Sequence, residues 1–256
     1  MFIKKWSKLL SITILCLISI NAYAQQSEKH KIIIYGYTKY MPFMDGNGKD
    51  AKGLYPFLVK KIFNKAGYQV DFKIMPWKRA LKSGMKGKGI LAGILKNEER
   101  SKVMDYSQHF YEESHAIYSL KSAPLNYNNI NDLKAKKIGI ITAFSYGQAF
   151  NQAKENKFFS VKEAKVSEQN FKQLIRGRLD AVIEEETIAT IHLNNLKNNY
   201  NILKSKSYIL KDGIYIAVAK SLKQQKILDQ FNEALAAMKK DGSYQLIIDK
   251  FIENIK

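Results

Sequence analysis

Cysteine is nearly absent: in 256 residues it occurs once, at Cys16, inside an apolar N-terminal stretch. Without that stretch the chain holds no thiol, which excludes disulfides, thiolate metal sites and cysteine nucleophiles. Histidine is sparse too. His30, His109, His115 and His192 show no metal-ligand spacing such as H-E-x-x-H, and neither G-x-S-x-G nor a phosphate-cradling glycine loop occurs. The four histidines read as surface or strand-end residues, and no cofactor or metal is expected. Arginine is the third shortage: Arg79, Arg100, Arg176 and Arg178 are the only ones among 42 basic residues. Where lysine is the default cation, an arginine points to a need for a planar, permanently charged fork. Past the N-terminus no apolar run reaches the ~20 residues of a membrane span, and there are no repeats or low-complexity tracts.

What is present begins with a processing segment, residues 1–24. Lys4, Lys5 and Lys8 make a basic start, residues 9–20 are apolar, and Ala22-Tyr23-Ala24 is an A-x-A cleavage signal. Leu15, before Cys16, is too large for a lipoprotein-type site. The expected mature chain starts at Gln25 and is long enough for one large domain or two lobes of ~100 residues each. The net charge of +19 falls by the three leader lysines. The remaining lysines are spread along the whole chain among many Asn and Ile residues, which reads as a composition bias and not as a nucleic-acid stripe.

Residues 31–37, KIIIYGY, form an apolar β-branched run, a buried first strand. A loop containing Tyr40, Pro42 and Phe43 follows. Pro56 sits near the start of a helix whose apolar face is Phe57, Leu58, Ile62, Phe63 and Ala66, and Gly67 ends it. Residues 69–75 alternate as a second strand. Trp77 opens a helix through Ala80, Leu81 and Met85, Gly84 and Gly87 break it, and residues 90–95 are a third buried strand. Strand, helix, strand, helix, strand indicates a parallel α/β lobe. Residues 121–131 change character and read as a crossing region. Residues 137–142 start a second α/β series, with Ser145 as the expected cap of the next helix. Phe171, Leu174 and Ile175 stripe another helix, Gly177 stops it, and residues 179–183 are a strand. Residues 208–220 alternate as a strand, and helices over 222–238 and 243–255 close the chain. A chain that leaves one lobe, builds a second and returns needs two crossings, placed near residues 111–115 and 213–217.

The densest signal is residues 77–111, WKRALKSGMKGKGILAGILKNEERSKVMDYSQHFY. Arg100 follows the buried strand, at the strand end where α/β sheets place their ligands. A lone E-R pair also fits a solvated charge cluster. The ordered set W-x-R-A-L, Gly-rich turn, apolar strand, E-R and D-Y-S-x-x-F-Y resembles the family 3 periplasmic solute-binding proteins, and G-R-L-D-A-V-I at residues 177–183 resembles their second-lobe signature.

The resemblance implies a two-lobed α/β periplasmic binding protein fold of type II character. Each lobe is a mainly parallel sheet flanked by helices, with residues 25–112 and 216–256 in lobe 1, 113–215 in lobe 2 and a two-crossing hinge. It implies Arg100 as the clamp of a ligand carboxylate and Tyr40 as the aromatic that stacks on the ligand. Tyr40 equally fits a half-buried loop tyrosine. Glu185 stands where the family's acidic residue, usually aspartate, holds the ligand's ammonium. It also fits the acidic first turn of the following helix. At the corner where the family has a glycine and a small hydroxyl residue, this chain has Ala143, Phe144 and then Ser145. Gly93 and Leu95 replace small hydroxyl residues, and Lys88 replaces an aspartate. With Trp77, Tyr40 and Phe144, the implied cleft is more aromatic and less polar than an amino-acid binder's. The implied function is capture of an amino acid or similar small polar carboxylate in the periplasm, as a monomer, for an inner-membrane ABC permease, with no cofactor and no nucleic-acid partner. Two alternatives stay open: a ligand-sensing subunit of a membrane signalling protein, and a cleft enzyme of the cyclohexadienyl dehydratase type, with Lys39, Lys96 or Glu185 as acid-base groups.

The leader reading has a direct test. Intact mass of the exported protein should correspond to a chain starting at Gln25, and an acylated form retaining Cys16 would contradict it.

Overall fold

The computed structural model describes residues 30–195 and 202–255; the expected leader and its cleavage site lie outside them. The chain from Lys31 onward is one compact unit. β1 (Lys31–Tyr37) is followed by a small hairpin, β2 (Asp45–Asn47) and β3 (Asp50–Lys52). Helix α1 (Leu54–Lys65) starts at Gly53, whose φ is 102°. A Cβ there would lie 2.5 Å from the Phe43 carbonyl oxygen, so the entry turn requires glycine. α1 buries Leu54, Tyr55, Leu58, Val59, Ile62 and Phe63. Phe57, expected on the apolar face, is 50% exposed, because at 100° per residue it falls opposite that stripe.

β4 (Gln69–Met75), α2 (Trp77–Met85) and β5 (Ile90–Ile94) complete the first α/β series. β1 lies between β4 and β5 and runs parallel to both. α3 (Glu98–Ser101) and β6 (Met104–Tyr106) lead to β7 (Tyr111–Leu120). β8 (Lys137–Ile141), α4 (Gln148–Glu155), β9 (Ser160–Ala164), α5 (Ser167–Ile175), β10 (Ala181–Glu185) and α6 (Glu186–Asn195) form the second series. Here β8 lies parallel to both β9 and β10. β9 and the β2–β3 hairpin were not read from the sequence, since β9 (SVKEA) is largely exposed and carries no apolar run. β11 (Ile202–Ala219) returns, and α7 (Gln225–Lys240) and α8 (Ser243–Ile255) end the described chain. Among the described residues no helix is long and apolar enough to cross a membrane.

The strands lie in the order β4-β1-β5-β11-β7-β10-β8-β9, with β6 also on β11. β11 is shared. From Ile202 to Ile214 it pairs antiparallel with β7, and from Tyr215 to Ala219 with β5 and β6. Ser107 pins the switch: its Oγ accepts from the Ile216 N–H at 3.2 Å, and its N–H donates to the Ile216 carbonyl at 3.1 Å. Helices cover the sheet of each lobe, and separate apolar clusters fill the layers on either side. This is the two-lobed fold expected from the sequence, with antiparallel pairing in the main sheet confined to the join and a separate antiparallel hairpin, β2–β3.

Phe231 of α7 is fully buried, with its ring 4.9 Å from Phe63 and 6.3 Å from Phe110. It ties α1, α7 and the approach to β7 together. Phe231→Ala should cost ~3–5 kcal/mol of unfolding free energy, measured by urea denaturation; a loss under about 1 kcal/mol would show that this layer collapses to fill the space.

Candidate functional site

Arg100 is placed by a short chain of local contacts. β5 ends at Ile94, and Asn97 caps α3 by accepting the Arg100 N–H at 2.8 Å. This turn points the guanidinium inward, where it is only 6% exposed. Nη1 donates to the Leu95 carbonyl at 2.8 Å and Nη2 to the Ala143 carbonyl at 3.2 Å, and the group lies 5.5 Å from the Trp77 ring centre. None of the ion pairs among the described residues involves Arg100. Glu98 and Glu99 are exposed, so the solvated E-R cluster is not what forms. Burial pulls the Arg100 pKa below its ordinary value. A buried cation solvated by two carbonyls and a ring face lacks the counter-charge that makes such burial favourable.

Arg100 lines a cavity of about 20 Å³, on a measure where one water needs ~10–15 Å³. Four rings share that wall: Tyr37, Tyr40, Trp77 and Phe144. Tyr37 meets Trp77 at 4.9 Å and 65° and Phe144 at 6.2 Å and 85°. Phe144 meets Tyr40 at 5.4 Å and 71° and Trp77 at 6.0 Å and 77°. The rings stand roughly edge to face. Trp77 opens α2, and its Nε1 donates to the Ala143 carbonyl at 2.9 Å. Gly93, in β5, has φ +77°, and a Cβ there would lie 3.1 Å from the rings of both Tyr37 and Tyr55. The small residue is therefore what lets those rings approach.

The corner after β8 also reaches the cavity through Phe144 and Ser145. Ala143 takes a left-handed φ of 63°, a conformation that favours glycine, and this turns its carbonyl toward Arg100 and Trp77. Ser145 is buried and sits 3.4 Å from Asn97 Nδ2. It does not cap the next helix as expected: α4 starts at Gln148 with Gly147 as its cap, at φ 89°.

Glu113 was not singled out from the sequence. It lies in β7, opposite Asp212 of β11, is 2% exposed in its side chain, and lines the same cavity as Arg100. Tyr40 donates its hydroxyl to Glu113 Oε2 at 2.9 Å, and Tyr55 donates to Oε1. Burial pushes the Glu113 pKa up to about 7, against the pull of these two hydrogen bonds. His115, two residues on and on the same strand face, is 1% exposed, with Nε2 3.5 Å from Glu113. Burial drives its pKa down to about 4, so it is a neutral core histidine and not the surface or strand-end residue expected. The available signal was an acid and a histidine spaced by two, and so on one strand face, at the crossing the sequence already marked.

Glu185 is buried at the end of β10, but it is not among the cavity-lining side chains. Its carboxylate accepts the Ile188 N–H at 3.0 Å and the Thr187 hydroxyl at 3.3 Å, which caps α6. Burial and the Glu113 charge raise its pKa well above the usual range. Neighbouring Glu184 receives the Glu185 N–H at 3.0 Å, and burial pushes its pKa up to about 7. Among the described residues no group of three His, Cys, Asp or Glu side chains is arranged to hold a metal ion. The cavity thus presents one guanidinium and one carboxylate among aromatic and aliphatic walls, a geometry suited to holding a small dipolar solute.

Comparison with known proteins identifies relatives over nearly the whole chain. The "Arginine-binding extracellular protein ArtP" of Bacillus subtilis is 24% identical over 234 residues, covering 90% of this chain and 89% of that protein. The solved structure titled "An ancestral arginine-binding protein bound to arginine" is 27% identical with a TM-score of 0.72, covering 86% of this chain and 97% of the other. A histidine kinase sensor domain with similarity to periplasmic binding proteins superposes with a TM-score of 0.75 at 20% identity, covering 88% and 97%; at that identity it shows the fold alone. A family model spans residues 32–254, essentially the whole described fold, and the chain belongs to the bacterial extracellular solute-binding proteins, family 3.

Proposed function

We propose that this chain captures an amino acid or a similar small polar carboxylate between its two lobes in the periplasm, after loss of residues 1–24. It then hands the solute, as a monomer, to an inner-membrane ABC permease, and does not transform it. The observation that carries this reading is Arg100: a buried, permanent cation with no carboxylate of its own, facing a cavity between residues of both sheets. The relatives' names give the solute class, since they are described as amino-acid-binding and arginine-binding. Movement about the β7–β11 join, with residues 25–112 and 216–256 as one lobe and 113–215 as the other, supplies opening and closure. Closure expels water, and in the drier site a charge-assisted pair of parallel bonds from arginine to carboxylate is worth more than in solvent.

The test is affinity. Arg100→Ala should weaken binding of the carboxylate ligand by ~2–5 kcal/mol, roughly 30-fold to several-thousand-fold. Arg100→Lys should recover only part, because lysine offers charge without the planar fork. Titration calorimetry on folded variants decides it; unchanged affinity in Arg100→Ala removes the clamp from the site.

A further inference from the structure

The cavity's charge and hydrogen-bond inventory narrows the ligand further, on the premise that the cleft binds an amino-acid-like carboxylate at Arg100. We propose that the solute is an N-methylated amino acid of the betaine class, with its carboxylate on Arg100, its cation opposite Glu113 and its methyl groups against the aromatic walls.

Charge comes first. The lining carries one cation, Arg100, and one anion, Glu113. The two nearby acids, Glu184 and Glu185, are not among the lining side chains, and Glu185 accepts the Ile188 N–H and the Thr187 hydroxyl. A ligand with one carboxylate and one cation is matched. A ligand such as arginine or lysine brings a second cation, for which no lining carboxylate remains, and an unpaired buried charge is strongly unfavourable.

Hydrogen bonding comes second. A primary ammonium carries three N–H donors and a guanidinium five. The side-chain acceptors lining the cavity are the Glu113 carboxylate, each of whose oxygens already takes a tyrosine hydroxyl, the Ser145 hydroxyl, and the Tyr37 and Tyr40 hydroxyls. The other side chains are Arg100, Trp77, Phe144, Leu95 and Ile214. A trimethylammonium has no N–H to satisfy and asks only for ring faces and a counter-charge. Tyr37, Tyr40, Trp77 and Phe144, set at 65–85° to one another in four of their contacts and at 44° between Tyr37 and Tyr40, supply walls on more than one side. Gly93 and Leu95 add no hydroxyl to the strand before Arg100.

The experiment is a methylation series titrated calorimetrically into the purified protein: glycine, N-methylglycine, N,N-dimethylglycine and glycine betaine, then proline against proline betaine, with L-arginine and choline as comparators. Affinity should rise with methylation, by about tenfold or more from glycine to glycine betaine or from proline to proline betaine, and the betaine should bind more tightly than arginine. Glu113→Gln should weaken the betaine about tenfold or more while weakening the unmethylated parent no further. Arginine, glycine or proline binding as tightly as the methylated members overturns the betaine assignment and leaves the amino-acid reading standing. Choline matching glycine betaine, with Arg100→Ala losing nothing, overturns the carboxylate clamp itself. Failure of every member of the panel to bind overturns the betaine assignment.

Discussion

A guanidinium held out of water without an acid partner is the constraint on which the rest of the site depends. Arg100 is kept in place by neutral groups: the Leu95 and Ala143 carbonyls and the Trp77 ring. Each is positioned at some cost. Ala143 holds a left-handed backbone conformation, φ 63°, which for a residue with a Cβ costs of order 1–3 kcal/mol. Its carbonyl is thereby shared between Trp77 Nε1 and Arg100 Nη2. Two donors from the first α/β series thus converge on one acceptor from the second. The bond that orients the arginine is also a bond between lobes.

The acid that lines the cavity sits on the strands that join the two sheets. Glu113 and Ile214 line the cavity and belong to the strands β7 and β11, which connect the two sheets. Ionising Glu113 in its buried place, with a pKa near 7 where a free carboxyl has 4.5, costs roughly 3 kcal/mol more than in water. Tyr40 and Tyr55 offset part of that by donating both hydroxyls to it. A cation brought in by a solute offsets more of it. On the proposed reading, ligand binding and the electrostatics of the lobe join are coupled through Glu113.

Much of this architecture was legible in the chain. KIIIYGY, the helix around Pro56 and the Trp77 helix specify their elements by pattern alone, because one face of each is buried against an apolar layer. Arg100 was legible through scarcity, since one of four arginines after a buried strand is hard to explain by composition. Tertiary context was not legible. Phe57 sits among apolar neighbours in sequence yet faces out, and Ser145 looks like a helix cap although Gly147 performs that role. His115 and Glu113 stand in a stretch, YEESH, that reads as polar, yet both are buried. Their burial depends on Tyr40 and Tyr55, 73 and 58 residues from Glu113, and no local pattern encodes that pairing.

The departures from the family pattern are not independent of one another. A hydroxyl residue at position 93 requires a Cβ, and a Cβ there lies 3.1 Å from the rings of Tyr37 and Tyr55, closer than ordinary van der Waals contact. Tyr55 in turn is one of the two donors that make a buried Glu113 tolerable. Gly93, the Tyr55 ring packed against it and the acid on β7 are therefore physically coupled in this chain. Removing any one member leaves a gap, a clash or an unsatisfied carboxylate. The acid that lines the cavity thus stands on β7, at the join between the sheets, and not on the strand beside Arg100.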